Sequence, residues 1–172
     1  VPKAAKTASI LYQMYFLLTL IELMLLLIGK MNWFDALCIT FGTAGTGGFS
    51  VLNSGCASYT IYQQVVITVF MILFGTNFSV YYLALTRQFK GILKISEVMV
   101  YFSIIGVSVA AITCNIFSSY PNVGLAIKDA AFQVGSIIAT TGYATTDFNL
   151  WPAFSKWILV LLLFIGACAG ST

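Results

Sequence analysis

From Ala36 to Thr86, and again from Val98 to Ile127, this chain contains no charged residue. Apolar stretches longer than about 18 residues argue for helices that cross a lipid bilayer. Only 8% of the residues are charged, against about 25% in a soluble globular domain. Inside lipid every backbone polar group must be satisfied internally, and irregular backbone survives only when buried in protein or lining a watery path. The chain is therefore expected to fold as an all-α membrane protein.

Two polar interruptions break that apolar sequence, Gly45-Thr46-Gly47-Gly48-Phe49-Ser50 and Ala139-Thr140-Thr141-Gly142-Tyr143-Ala144. Each is rich in Thr and Gly and ends in glycine plus an aromatic residue. Each follows a short apolar segment, Trp33 to Thr43 and Ala126 to Ile138. The first of these would reach only about 16 Å as a helix, half of a ~30 Å hydrocarbon core, so it reads as re-entrant. The two copies align without a gap at an offset of 94 residues (35 to 129, 46 to 140, 48 to 142, 49 to 143). Full spans are expected over Ala8 to Gly29, Thr60 to Thr86, Glu97 to Phe117 and from Trp151 onward, with Asn53 to Tyr59 a polar surface loop. The chain thus reads as two parallel repeats of span, pore helix, filter loop and span, as in potassium channels. Residues 1–95 form one repeat, and residues 96–172 form a second that is truncated inside its last helix.

The chemistry of such a repeat is ion coordination. Rings of backbone carbonyls can replace the hydration shell of a cation, and glycine permits the backbone angles that aim them at one axis. Gly45, Thr46, Gly47 and Gly48, with Ala139, Thr140, Thr141 and Gly142, are the expected residues coordinating a cation. The hydroxyls of Thr46 and Thr140 are possible extra ligands. Asp35 and Asp129 are expected to cap the outer ends of the short helices, leaving their negative C-terminal ends facing the ion. Phe49 and Tyr143 are expected to wedge the loops.

Lys3 and Lys6 precede the first span, and Arg87, Lys90 and Lys94 follow the second. The positive-inside rule makes that side cytoplasmic, so both loops enter from outside. A net charge of +3, widely scattered, argues against nucleic acid. The absence of histidine removes His-based metal sites and Ser-His catalysis. Asp35, Asp129 and Asp147 read as outer-loop residues, so an intramembrane aspartyl protease is disfavoured and no enzyme activity is expected. The four cysteines, Cys38, Cys56, Cys114 and Cys168, form no C-x-x-C pair and read as small buried hydrophobes. Glu22 lies inside a span and reads either as a pore or interface residue or as a polar contact to a neighbouring helix. Val1 is not an initiator methionine, and Gly170-Ser171-Thr172 interrupt the last apolar run, so the chain reads as a piece of something longer.

The order span, short helix, T-x-G-aromatic loop, span resembles the Trk/Ktr/HKT superfamily of potassium transporters, and within it the bacterial Trk-type pore subunit. Gly45 to Ser50 is similar to that family's second filter. Ala139 to Phe148, followed by Trp151-Pro152, is similar to its third, and Asn77-Phe78 with Tyr82 to Leu85 resembles the end of its second repeat. Gly166-Ala167-Cys168-Ala169-Gly170-Ser171-Thr172 resembles the family's intramembrane gate loop. From the residues alone, that small-residue segment is open to two readings, a helix contact of the small-x-x-x-small kind or a weak, rearrangeable backbone. The resemblance implies the gate. It also implies potassium uptake at the cell inner membrane, further repeats of the same chain completing the pore, a homodimer of pores and a cytosolic nucleotide-binding regulatory subunit. The basic connector reads as an orientation signal, or as a docking point for that subunit. A sodium-permeable member of the superfamily is the alternative, although both loops carry the glycine (Gly48, Gly142) that favours potassium. A broken-helix secondary transporter is a further alternative, disfavoured because its repeats would be inverted.

Overall fold

The computed structural model of the chain describes residues 2–85, 96–169 and Ser171. The connector residues Arg87, Lys90 and Lys94, and Gly170 and Thr172 of the expected gate, lie outside the described residues. The described chain is helical and contains no strand: α1 (Pro2–Ile28), α2 (Trp33–Ala44), α3 (Ile61–Phe74), α4 (Ser79–Leu85), α5 (Ser96–Ile116), α6 (Val123–Ile138) and α7 (Ala153–Ile165). Ala8–Ile28 and Ser96–Ser119 are long and apolar enough to cross a membrane. Exposed Phe16, Met24 and Ile28 on α1, and Val100 and Val107 on α5, give these helices apolar outer faces.

Two triangles of helices recur. α1, α2 and α3 pack on one another, and so do α5, α6 and α7. The triangles meet where α3 crosses α6. Lipid tails are as apolar as leucine, so close packing rather than water expulsion holds such helices together. Gly135 makes that approach possible, because a Cβ there would lie 3.2 Å from Ile72 and 3.7 Å from Thr68. Phe132, Ala139 and Tyr143 of the second triangle are buried in the core of the first, beside Ile39, Ile67 and Phe74.

The span expected over Thr60 to Thr86 is two helices rather than one. α3 begins in a capping box, with Thr60 accepting from the Gln63 amide and the Gln63 side chain accepting from the Thr60 amide. It ends at Gly75. The Thr76 hydroxyl then bonds the Ile72 carbonyl, and Asn77 Oδ1 accepts from the Ser79 amide to start α4. A Cβ on Gly75 would run into the Tyr101 hydroxyl, so the break is built around a side chain from α5. α7 also ends at a glycine, Gly166, but there by a left-handed turn with φ of +69° and open space around it.

Both expected aspartate caps are corrected. Asn122 caps α6, its side chain accepting from the Gly124 amide. Asp129 lies inside that helix, buried, rather than in a loop. α2 has no side-chain cap, and Asp35 sits within its first turn, where its charge still complements the helix dipole. α6 also starts three residues earlier than Ala126 because of the Asn122 cap. Cys114 is exposed and Cys38 half-buried, while Cys56 and Cys168 are buried as expected.

Candidate functional site

The two Thr/Gly loops leave their short helices by one route. Thr46 donates to the Thr43 carbonyl and Gly47 to that of Gly42. Thr140 donates to the Ile137 carbonyl and Thr141 to that of Ser136. This paired 5→2 and 6→1 pattern is the Schellman helix ending, which needs a left-handed residue and usually takes glycine there. Here it takes threonine both times, with φ of +49° at Thr46 and +58° at Thr140. The glycines two residues on are also positive, +67° at Gly48 and +90° at Gly142. Positive φ in a β-branched residue is a true outlier. Such strain persists only where surrounding structure over-determines it, and it clusters at functional sites.

The loops lie side by side. A Cβ on Gly48 would collide with the Thr141 carbonyl oxygen, whereas Gly142 faces open space. The Tyr143 hydroxyl, buried between the triangles, reaches the Ile39 carbonyl (3.3 Å) and the Phe49 carbonyl (3.5 Å). It stands where a side chain on Gly42 would be. At the matching position in the second copy, Ser136 instead donates to the Tyr143 carbonyl at 2.6 Å. Thr141 and Tyr143 are buried while Thr140 and Gly142 are exposed, so the second loop is rooted in protein on one side and open on the other, whereas Gly45 to Ser50 of the first loop alternate between exposed and half-buried. Of the two expected wedges, Tyr143 is 2% exposed and Phe49 is 84% exposed.

A polar network beyond the reach of sequence reading secures this arrangement. Lys128 donates to Gln64 Oε1 at 2.6 Å and pairs with Asp129 at 2.8 Å. Asp129 accepts from the Thr145 hydroxyl at 3.0 Å. The Gln64 amide group donates to the carbonyls of Cys56 (2.9 Å), Tyr59 (3.1 Å) and Ala57 (3.3 Å), and the Cys56 amide donates to the Ala144 carbonyl at 2.9 Å. Buried polar groups are affordable only when partnered in this way. Burial pushes the Cys56 thiol up to about 12 and, aided by the negative charge of Asp35, the Tyr59 hydroxyl up to about 12. Glu22 is wholly buried in α1, beside Thr43 but out of hydrogen-bond geometry, and neither carboxyl oxygen has a hydrogen-bond partner.

Of the segment expected to gate, Gly166, Ala167, Cys168, Ala169 and Ser171 are described. The Cys168 amide donates to the Gly75 carbonyl at 3.0 Å, and the Ala169 amide to Glu97 Oε1 at 2.6 Å. The segment therefore lies level with the first turn of α5, against the break between α3 and α4. The sequence signal for that second break is Gly75-Thr76-Asn77, three turn-forming residues in an apolar run.

Residues 98–172 match the profile of a family described as "TrkH: Cation transport protein". A Trk system potassium uptake protein TrkH from Halomonas elongata is 27% identical over 99% of this chain and 36% of the relative. The protein of that name from Escherichia coli K12 is 30% identical over the same shares. The crystal structure of the potassium transporter TrkH from Vibrio parahaemolyticus superposes with a TM-score of 0.89 at 28% identity, over 99% of this chain and 38% of that one. The chain spans 36% of the length of these curated relatives. Over nearly its whole length the chain is thus similar, in sequence and in all-helical fold, to one part of the TrkH-type potassium transporters.

Proposed function

We propose that this chain contributes two adjacent quarters of the selectivity filter of a potassium uptake protein. The observation that carries this reading is the doubled left-handed backbone, Thr46 with Gly48 and Thr140 with Gly142, set side by side at the C-terminal ends of two short helices. The relatives' names supply the ion. Carbonyls of residues 45–48 and 139–142 face the ion axis, and the negative ends of α2 and α6 add to the cation's stabilisation.

In this reading residues 1–95 and 96–172 are successive repeats of one pore. Further repeats of the same chain supply the remaining quarters, and ions enter from the outer side and leave past a gate at residues 166–172. The basic connector is cytoplasmic, in a cell inner membrane. A cytosolic nucleotide-binding subunit and a second pore complete the assembly. The relatives are transporters, so the chain is read as a transport component and not as an enzyme.

The test uses the full-length protein containing this chain, expressed in cells deficient in potassium uptake. Gly142→Ser keeps open space around the new side chain but forces a φ of +90° on an L-residue. Discrimination between potassium and sodium should fall. Unchanged cation selectivity in that variant removes Gly142 from the filter.

A further inference from the structure

Two helix breaks from different repeats meet at one side chain. Glu97, in the first turn of α5, accepts the Ala169 amide on Oε1 at 2.6 Å and the Asn77 side-chain amide on Oε2 at 3.2 Å. Asn77 cannot turn to offer its oxygen instead, because Oδ1 already holds the Ser79 amide at 2.9 Å. The Cys168 amide closes the same contact onto the Gly75 carbonyl. The last carbonyls of α3 are occupied too, Ile72 by the Tyr101 hydroxyl (3.3 Å) and Leu73 by the Tyr81 hydroxyl (2.7 Å). The α3–α4 break is thus a fixed abutment, with its groups held from three sides. The segment after Gly166 is tied to that abutment through the Cys168 and Ala169 amides. It borders a cavity of about 160 Å³ whose other wall is Val100, Tyr101 and Ile104 of α5, so it has room to move once released.

We propose that Glu97 is a positioning residue that clasps the Gly166–Ala169 segment against the α3–α4 break, holding the ion path in its non-conducting state. This rests on the reading of residues 166–172 as a gate. A carboxylate suits the task because it offers two acceptors to two donors, and charge-assisted bonds are the strong ones. A glutamine satisfies only one of the two, since its amide nitrogen would face the Asn77 amide nitrogen.

The experiment measures rubidium uptake by the full-length protein in potassium-uptake-deficient cells, without stimulation of transport. Glu97→Gln should raise basal flux roughly tenfold, the population shift expected from loss of one charge-assisted hydrogen bond. Apparent KM and the potassium-to-sodium preference should stay unchanged. Combining Glu97→Gln with Asn77→Asp exchanges donor and acceptor. The new carboxylate keeps the Ser79 amide on one oxygen and takes the glutamine amide on the other, so basal flux should return toward wild type. A purely structural role for Glu97 would give loss of flux and no rescue, and that result overturns the proposal. If Glu97→Gln does not reach the membrane, Asn77→Ala removes the same bridge from the other side, and unchanged basal flux in it equally overturns the clasp. Deleting Gly166–Ala169 separates the two levels. Raised flux on deletion with no effect of Glu97→Gln leaves the gate standing and removes the clasp, whereas unchanged flux on deletion removes both.

Discussion

Thr46 and Thr140 hold left-handed backbone that costs an L-residue about 1–2 kcal/mol, and each is followed two positions later by a glycine that makes the same kind of turn freely. The two glycines differ in their surroundings, which sets a prediction. A Cβ on Gly48 meets a backbone oxygen, that of Thr141, which cannot swing aside as a flexible side chain would. Gly48→Ala should therefore disturb both loops at once, lowering uptake by more than roughly tenfold, the effect of a cost above 1.4 kcal/mol. Gly142→Ser should retain flux and lose selectivity, and paired uptake assays in the full-length protein distinguish these outcomes. Cys56 offers a second residue-level test. Burial raises its thiol from the ordinary value of 9.0 to about 12, so the native protein should resist maleimide from pH 7 to 9 and react only on unfolding, as read by mass spectrometry. The folded chain holds that proton more tightly than the unfolded one. This contribution to stability is complete below about pH 9 and is lost as pH rises toward about 12.

At the scale of elements, the short helices were legible because their ends are written locally. Ala-Thr-Thr-Gly stops α6 at Ile138, as expected, Gly-Thr-Gly-Gly stops α2 at Ala44, one residue past the expected Thr43, and the aromatic after each glycine marks the exit. Their starts were less legible. The aspartates looked like caps, yet Asn122 outcompetes Asp129 because it sits at the first free amide and Asp129 is drawn inward to Lys128 and Thr145. Asn122→Ala should lower stability by about 1 kcal/mol, while Asn32→Ala, at a start with no side-chain cap bond, should cost measurably less. Thermal unfolding in detergent checks the difference. The break between α3 and α4 was missed, because Ile61 to Leu85 is apolar enough to read as one helix and Gly75-Thr76-Asn77 is a weak local signal within it. It is enforced by the Tyr101 hydroxyl in the place of a Cβ on Gly75, and by Asn77 starting a new helix. The first of these comes from a residue on α5.

Over the whole molecule, the second loop follows a simple packing rule. Its aromatic residue, Tyr143, seats on the short helix of the preceding triangle, at Ile39 and Gly42. Applied to the first loop, that rule seats Phe49 on the short helix of a unit before it, and Phe49 is 84% exposed in this chain. In the full-length protein, Phe49→Cys should resist a water-soluble maleimide that labels Asn53→Cys, the exposed loop control. Equal labelling of the two would show that the triangles do not continue around a ring. The same rule explains why Gly42 and Ser136 differ at matched positions. One makes room for a neighbour's hydroxyl, and the other anchors its own loop.

The sequence by itself determined the membrane setting, the doubled helix-loop unit and its 94-residue offset, because long uncharged runs and locally coded helix ends need no distant partner to be read. Tertiary structure alone decided which side chain packs into the α3–α4 break, which carboxylate meets the segment after Gly166, and how Lys128 and Gln64 tie one triangle to the other. Those outcomes depend on side chains from elements far apart in the chain arriving at a common point, and no local pattern encodes such a meeting.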